Sequence, residues 1–420
     1  MKFIHCADIH LDSPLRGLER YEGAPVTELR GATRKALQNL VGLSIEERVD
    51  FVLIAGDVYD GDWKDYNTGL FFARQVTRLR EAGIRVFLIR GNHDAASQIT
   101  RELTLPDNVY NFSTRKPETV FLEDLGVAIH GQGFHTQVVP EDLSAAYPLA
   151  PKEFFNIGLL HTSAGGREGH ENYAPCTIPG LLSKGYDYWA LGHVHKREVL
   201  RENPWIVFSG NLQGRHARET GEKGCTLVTV TDGRVKTVEH KRLDVVRWFD
   251  CAVEAKGAGD LDELLERTRQ ALVATLDKAD ECLLAARLVV RGACRAHKAV
   301  STAQERFVNE CRALANDLGS GRVWIEKIQM QTSAAVDLEE LAKRPDAIAE
   351  LLRFIRGIPT DEAMCNDLLS QFKDLKQKLP LELRQGADAI NLDDPSLIRD
   401  RLGDVEQTLI ARLLEQEVPR

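Results

Sequence analysis

The chain has 420 residues, of which 43% are hydrophobic and 28% charged, with a formal net charge of −9. At roughly 150 residues per domain this length predicts two or three domains, and the composition excludes a wholly disordered, collagen-like or coiled-coil chain. The longest apolar runs, such as Phe51 to Ala55, fall far short of the ~18 residues a membrane span needs, and Met1-Lys2-Phe3-Ile4-His5-Cys6-Ala7-Asp8 meets charge before a signal-peptide core could form, so a cytoplasmic protein is expected.

The first 245 residues alternate short apolar runs with amphipathic stretches. Strands are predicted at Lys2–Ala7, Asp50–Ala55, Arg85–Arg90, Gly126–His130, Asn156–His161, Asp187–Leu191, Trp205–Ser209, Cys225–Val230 and Arg234–Glu239. Helices are predicted at Thr27–Glu47 and Tyr66–Ala82. Alternation of this kind predicts an α/β fold with helices on the faces of a sheet. Several predicted strands end in sharp polar turns, and in open α/β sheets the sites gather at those carboxyl ends.

A second unit, 246–332, reads strand Phe249–Glu254, helix Leu261–Leu276, strand Cys282–Arg291, helix Thr302–Asp317 and strand Arg322–Gln329. A third, 333–420, reads as helical. From Asp337 to Arg420 it holds 18 acidic and 12 basic residues, so most of the net charge sits there and a near-neutral body can still carry a basic groove. Apolar stripes run along Ile348, Leu351, Leu352 and Ile355, along Leu368, Phe372, Leu375 and Leu379, and along Leu402, Val405, Leu409 and Leu413 after the helix-opening pair Asp394-Pro395. These stripes pack either on one another or on the helices of a partner. The eight cysteines form no CxxC pair and read as reduced, buried thiols, with Cys6 a packing residue beside the chemistry described next.

Five short motifs stand at or near predicted strand ends: Asp8-Ile9-His10, Gly56-Asp57-Val58-Tyr59-Asp60, Gly91-Asn92-His93-Asp94, Leu160-His161 and Gly192-His193-Val194-His195. They offer Asp8, His10, Asp57, Asn92, His161, His193 and His195 as ligands, a nitrogen and oxygen set that suits Mn, Fe or Zn. Seven donors exceed the needs of one ion and suit two ions sharing a carboxylate. Each residue alone has an ordinary reading as a cap, a turn or a half-buried histidine; seven in register at strand ends do not. The glycines before Asp57, Asn92 and His193 relieve steric demand where the backbone turns.

In these motifs the chain resembles the calcineurin-like metallophosphoesterase superfamily over residues 1–240. Within it the resemblance is to SbcD-type DNA repair nuclease subunits, and nearest to the YhaO-like branch through Asn211-Leu212-Gln213-Gly214-Arg215-His216, Arg218-Glu219 and Lys223-Gly224. The resemblance implies a two-sheet sandwich flanked by helices, a small α/β capping domain and a helical region that binds a partner. It assigns Asp8, His10, Asp57 and His195 to one metal and Asp57, Asn92, His161 and His193 to the second. Two divalent ions are implied, Mn2+ first, with Fe2+, Zn2+ and Mg2+ as alternatives. His93 would face the leaving oxygen and Asp60 would orient it. The implied function is DNA phosphodiester hydrolysis by metal-activated water, in an SbcCD-like complex with an SMC-like ATPase of the SbcC/YhaN type. Two other readings stand beside it: a phosphoesterase of nucleotides or small phosphodiesters, and a non-catalytic adaptor that recruits an ATPase. No P-loop is present, so ATP hydrolysis is expected of another polypeptide.

Lys196, Arg197, Arg201, Arg215, His216, Arg218 and Lys223 are candidates for contacts to the DNA backbone, and Tyr59, Trp63 and Tyr66 either line a cleft or pack. His5 and His130 are read as packed or solvent-facing rather than as supports of the ligands. Pairing of two copies through helices near the first motifs is implied by relatives.

Overall fold

The computed structural model describes residues 1–13, 23–60, 66–96, 104–164, 173–319, 321–335 and 341–378, with single positions between 394 and 413; Trp63 and Leu379 lie outside them. The chain divides into two compact units. One comprises Met1–Phe249, Ala279–Ala286 and Arg322–Glu326; the other comprises Asp250–Lys278, Arg287–Gly321 and Lys327–Arg420.

The first unit is built on two six-stranded sheets. In the first sheet β1 (Lys2–Cys6), β2 (Phe51–Ile54), β3 (Arg85–Leu88) and β4 (Val109–Asn111) run parallel, and β11 (Gly224–Thr231) and β12 (Arg234–Arg242) extend it antiparallel beyond β1. In the second, β6 (Val127–Gly131), β7 (Phe155–His161), β8 (Tyr188–Gly192) and β10 (Trp205–Phe208) run parallel between the antiparallel edge strands β5 (Glu118–Leu122) and β9 (Glu198–Glu202).

Alternate residues of the central strands feed two cores. Ile4, Val52, Ile54, Val86 and Leu88 meet Ala36, Leu37 and Leu40 of α1 (Val26–Glu46) and Phe72, Val76 and Leu79 of α2 (Tyr66–Glu81). Phe3, Phe51, Leu53 and Phe87 point the other way and meet Val127, Ile129, Ile157, Leu159 and Tyr188 of the second sheet. Both faces are buried, which is why these strands read as nearly unbroken apolar runs. A third core of Leu160, Trp189, Leu191, Ile206 and Phe208 lies on the second sheet's outer face, against Tyr147, Leu181 and Tyr186.

The predicted strands and helices of this unit are all present, in the expected arrangement of two sheets flanked by helices. The sequence reading missed β4, β5 and β9. All three pair on one side only and carry exposed, polar residues, so no apolar run announces them. His5 and His130 are both buried. His5 spans the two sheets from Leu191 O, 3.1 Å from its Nε2, to the Tyr188 hydroxyl, 3.0 Å from Nδ1, and burial pushes its pKa down to about 3. His130 bonds Thr119 and Asn156 and stacks on Tyr186.

In the second unit the helix Leu261–Ala279 is tied to strand Val246–Glu254 by Arg267, which donates to Glu254 O and Lys256 O, and by Thr275, which donates to Cys251 Sγ. Ile348 and Leu352 pack with Leu341 and Ile410, and Ile355, Ile358, Cys365, Leu369 and Leu402 form a neighbouring cluster. The helical stripes therefore pack in part on one another. The last stripe is corrected: Leu402 and Ile410 are buried whereas Val405 and Leu409 are exposed, as are Phe354 and Leu375. Asp394 does cap, accepting from Ser396 N at 2.8 Å. All eight cysteines are unpaired thiols, Cys282 half-buried and the other seven buried. No helix among the described residues is long and apolar enough to cross a membrane.

The core beneath the site tolerates little added volume. Gly158 of β7 pairs with Trp189 of β8, and a Cβ at Gly158 would run into the fully buried indole. Gly158→Ala should lower stability by about 1–3 kcal/mol, the usual range for overpacking. Thermal or urea unfolding of the purified variant checks this, and an unchanged midpoint would refute the packing argument.

Candidate metal centre

Five strand ends deliver the site. Asp8 and His10 follow β1, Asp57 follows β2, Asn92 and His93 follow β3 at the start of a one-turn helix (Asn92–Ala96), His161 ends β7, and His193 and His195 follow β8. The backbone there is forced into the left-handed region: φ is +50° at Asp8, +44° at His10, +54° at Asp57 and +98° at His193. Such non-glycine residues store strain of order 1–3 kcal/mol each and persist only where the surroundings over-determine them. Here hydrogen bonds do so, from Asp8 N to Gly56 O at 3.0 Å, from His10 N to Asp57 O at 3.0 Å and from Leu11 N to Val58 O at 2.9 Å.

Two glycines set how close the strand ends come. A Cβ at Gly91 would strike the Asp57 carboxylate, and one at Gly192 would strike Ala55 O, where the end of β8 meets the end of β2. Of the glycines noted in the sequence, Gly91 and Gly192 are thus required by close approach, and Gly56, at φ +94°, by turning as well.

All seven sequence-predicted donors come together. Asp8, Asp57 and His161 offer atoms within 4.8 Å of one another, as do Asp8, His10 and His195. His161 Nε2 lies 3.4 Å from Asp57 Oδ2 and 2.9 Å from Asn92 Oδ1; His10 Nε2 lies 3.2 Å from His195 Nε2 and 3.9 Å from Asp57 Oδ2. His193 stands beside His161 with ring centroids 5.2 Å apart, and its backbone N–H donates to Asp8 Oδ2 at 3.0 Å. Asp57 Oδ1 accepts from His93 N at 2.9 Å.

The tautomers decide what the rings can hold. His161 Nδ1 faces Ala55 O at 2.8 Å, His195 Nδ1 faces Glu219 Oε1 at 2.6 Å and His10 Nδ1 faces Asp60 Oδ1 at 3.4 Å. A carbonyl or carboxylate only accepts, so Nδ1 carries a proton in His161 and His195, while His10 Nδ1 makes no hydrogen bond to Asp60. The three Nε2 atoms beside two buried carboxylates form a donor set for cations, with His161 and His195 oriented from behind by an acceptor, as metal-binding histidines are. The residues fit two divalent ions. Burial works against charge on His161, but Asp57 outweighs it and lifts that ring to about 9, so its Nε2 bears a proton that a cation would displace; burial drives His10 down to about 3. Burial opposes ionisation of Asp57 too, yet His161 and the other rings hold its carboxyl far below the usual range.

His93 and Asp60 form a separate pair at the rim. His93 Nδ1 is 3.0 Å from Asp60 Oδ1, and the ring retains 35% exposure. Burial disfavours the charged ring, but the Asp60 bond and the Asp57 charge overcome this and raise its pKa.

The basic candidates separate. Lys196, Arg201, His216 and Arg218 are exposed. Arg215 is only 13% exposed and lies between Asp60 and Glu219, 3.7 and 3.4 Å away. Lys223 is buried and donates to His195 O at 3.1 Å, and Arg197 is half-buried with Nε out of solvent, near enough to His5 and Tyr188 to bear on their titration. Burial of Lys223 keeps its charge from the surface and corrects the expectation of a backbone contact at that residue. Tyr59 is buried against Phe72 and Tyr66 is exposed.

Three supports escaped the sequence reading. Glu219 is one. Asp94, the last residue of the GNHD motif, is another: it accepts from Gly91 N, Val58 N and Tyr59 N, and burial with the Asp57 charge pushes it up to about 6. The third is Asp12, which accepts from Arg34 of α1 and Thr68 of α2 and so fastens the turn after β1 to both helices. The polar residue two beyond His10 was the available signal for Asp12.

The family model for calcineurin-like phosphoesterases matches residues 1–197, and that for the middle domain of the metallophosphoesterase YhaO matches residues 248–333. A protein of Bacillus subtilis (strain 168) described as the uncharacterized metallophosphoesterase YhaO is 38% identical over 275 residues, covering 64% of this chain and 67% of its own length. Among solved structures, a Thermus thermophilus protein has 16% identity and a TM-score of 0.34, covering 58% of this chain and 98% of its own. A dimetal phosphatase from Danio rerio has 13% identity and a TM-score of 0.33, covering 55% and 93%. Likeness that loose carries no argument about activity. The curated relative and the two family models show the family: this chain belongs to the calcineurin-like metallophosphoesterase superfamily, in its YhaO-like branch.

Proposed function

We propose that this metallophosphoesterase is a DNA nuclease, working with Mn2+ as a subunit of an SbcCD-like repair complex. The observation that carries the catalytic part of this reading is the His93–Asp60 pair: a half-exposed imidazole held by a carboxylate, one residue from Asn92 and bonded through its backbone to Asp57. A purely structural metal site has no use for such a group.

Asp8, His10, Asp57 and His195 would hold one ion, and Asp57, Asn92, His161 and His193 the other. When bound, such ions polarise phosphoryl oxygens and lower the pKa of water. The chain's own residues supply the rest. Asp60 engages the His93 Nδ1 proton, which leaves Nε2 to hold the proton that the departing oxygen needs. Asp94 fixes the turn that carries Asn92 and His93 to the one that carries Asp57. Lys196, Arg201, His216 and Arg218 supply exposed positive or protonatable groups for a polyanionic backbone, and binding through them weakens with salt. The exposed apolar side chains Phe354, Leu375, Val405 and Leu409 support docking of an SMC-like ATPase on the C-terminal helices. The net charge of −9 favours the second reading, in which the substrate is a nucleotide or small phosphodiester.

With Mn2+, the purified chain should cleave end-labelled single- or double-stranded DNA, and His93→Ala should slow cleavage by about 10²–10⁴-fold with metal content unchanged. Hydrolysis of a phosphodiester dye and nucleotides with no DNA cleavage, alone or beside the ATPase, would refute the nuclease reading. Removing 337–420 should abolish ATPase binding and spare dye hydrolysis; loss of both would assign those helices to the catalytic core.

A further inference from the structure

The segment from Asn211 to Lys223 lies beyond the last metal motif, yet it grips His195 at both ends. Glu219 Oε1 accepts from the ring Nδ1 at 2.6 Å, while Asn211 N and Lys223 Nζ donate to the His195 carbonyl at 3.3 and 3.1 Å. Glu219 is itself held. Its Oε2 accepts from Arg215 N at 2.7 Å and Asn211 Nδ2 at 3.0 Å, while Oε1 faces His195, Arg215 Nη2 at 3.4 Å and His216 Nε2 at 3.6 Å.

Arg215 continues the connection. Its Nη1 reaches Asp60 Oδ2 at 3.7 Å and Ser13 Oγ at 3.4 Å. Asp60 in turn faces His93 Nδ1 and His10 Nδ1 through Oδ1. One guanidinium therefore joins the carboxylate behind His195 to the carboxylate behind His10 and His93. A planar, permanently charged fork suits two acceptors on opposite sides, whereas an ammonium reaches one point.

We propose that Glu219 and Arg215 are positioning residues for the reaction, Glu219 fixing the ring and tautomer of His195 toward the metal and Arg215 locking Glu219 to Asp60. Arg215 is then a support of the centre and not a contact to the DNA backbone. The proposal rests on the metal-centre reading above and is independent of whether the ester is DNA or a small molecule. Glu219→Gln is the informative change. If its amide oxygen serves His195, its amide nitrogen meets the Arg215 N–H and Asn211 Nδ2, donor against donor.

Calorimetric titration of metal-free protein with Mn2+ tests this. For Glu219→Gln we expect about 10–100-fold weaker affinity in one of two binding events, the usual penalty for losing an outer hydrogen-bond partner, with the other event unchanged. The melting midpoint of the metal-free protein should hold, and with bis(p-nitrophenyl) phosphate kcat should fall while KM stays. Unaltered Mn2+ affinity with only a lowered midpoint would mean a structural role and overturn the proposal, as would equal loss in both events. Should Glu219→Gln not fold, Arg215→Lys serves the same comparison, since it keeps the charge and loses the fork. Failure to cleave DNA, with these responses intact, would count against the nuclease reading alone.

Discussion

Two carboxylates, Asp8 and Asp57, are almost wholly buried and offer oxygens within 4.8 Å of each other and of His161. Like charges this close and this dry repel strongly, and burial alone would protonate them. Much of the first unit is arranged to offset that repulsion. Backbone N–H groups of His193 and His93 point at the two carboxylates, the His161 ring lies against Asp57, and the remaining imidazoles face the same space. The arrangement has a cation-shaped requirement at its centre, which is what a metallophosphoesterase of this family needs.

The same requirement explains the backbone. Parallel strands bring their carboxyl ends to one edge, but the chain must then reverse within one or two residues for each donor to face inward. That reversal puts Asp8, His10, Asp57 and His193 at positive φ. Gly91 and Gly192 then let neighbouring turns approach to contact distance. Strain at the centre is carried by hydrogen bonds that lock turn to turn, with Asp94 tying three N–H groups and Asp12 tying the first turn to α1 and α2.

What the sequence made legible follows from which information is local. Central strands such as β1, β2, β7 and β8 bury both faces, so their apolar runs stand out, and each donor lies within a few residues of its strand end. The edge strands β4, β5 and β9 bury too little to leave a pattern. In the C-terminal helices, periodicity marked apolar residues but not their partners, so Leu402 and Ile410 turn inward while Val405 and Leu409 do not. Arg215 and Lys223 looked like surface charges because their partners, Asp60 and the His195 carbonyl, are distant in sequence. Glu219 stood within a motif of the resemblance, but its role behind His195 was hidden because that partner lies 24 residues away.

This division between local donors and distant supports also runs along the chain. The stretch matched by the superfamily model ends at residue 197, just after His195. The groups that hold His195 from behind, Asn211, Glu219 and Lys223, all lie past that point. β10 and the turn after it bring them back, with Gly210 at φ +75° where a Cβ would strike Arg197 N. The ligands alone therefore do not define the working unit. A centre with these donors has a further segment of the chain holding its last histidine.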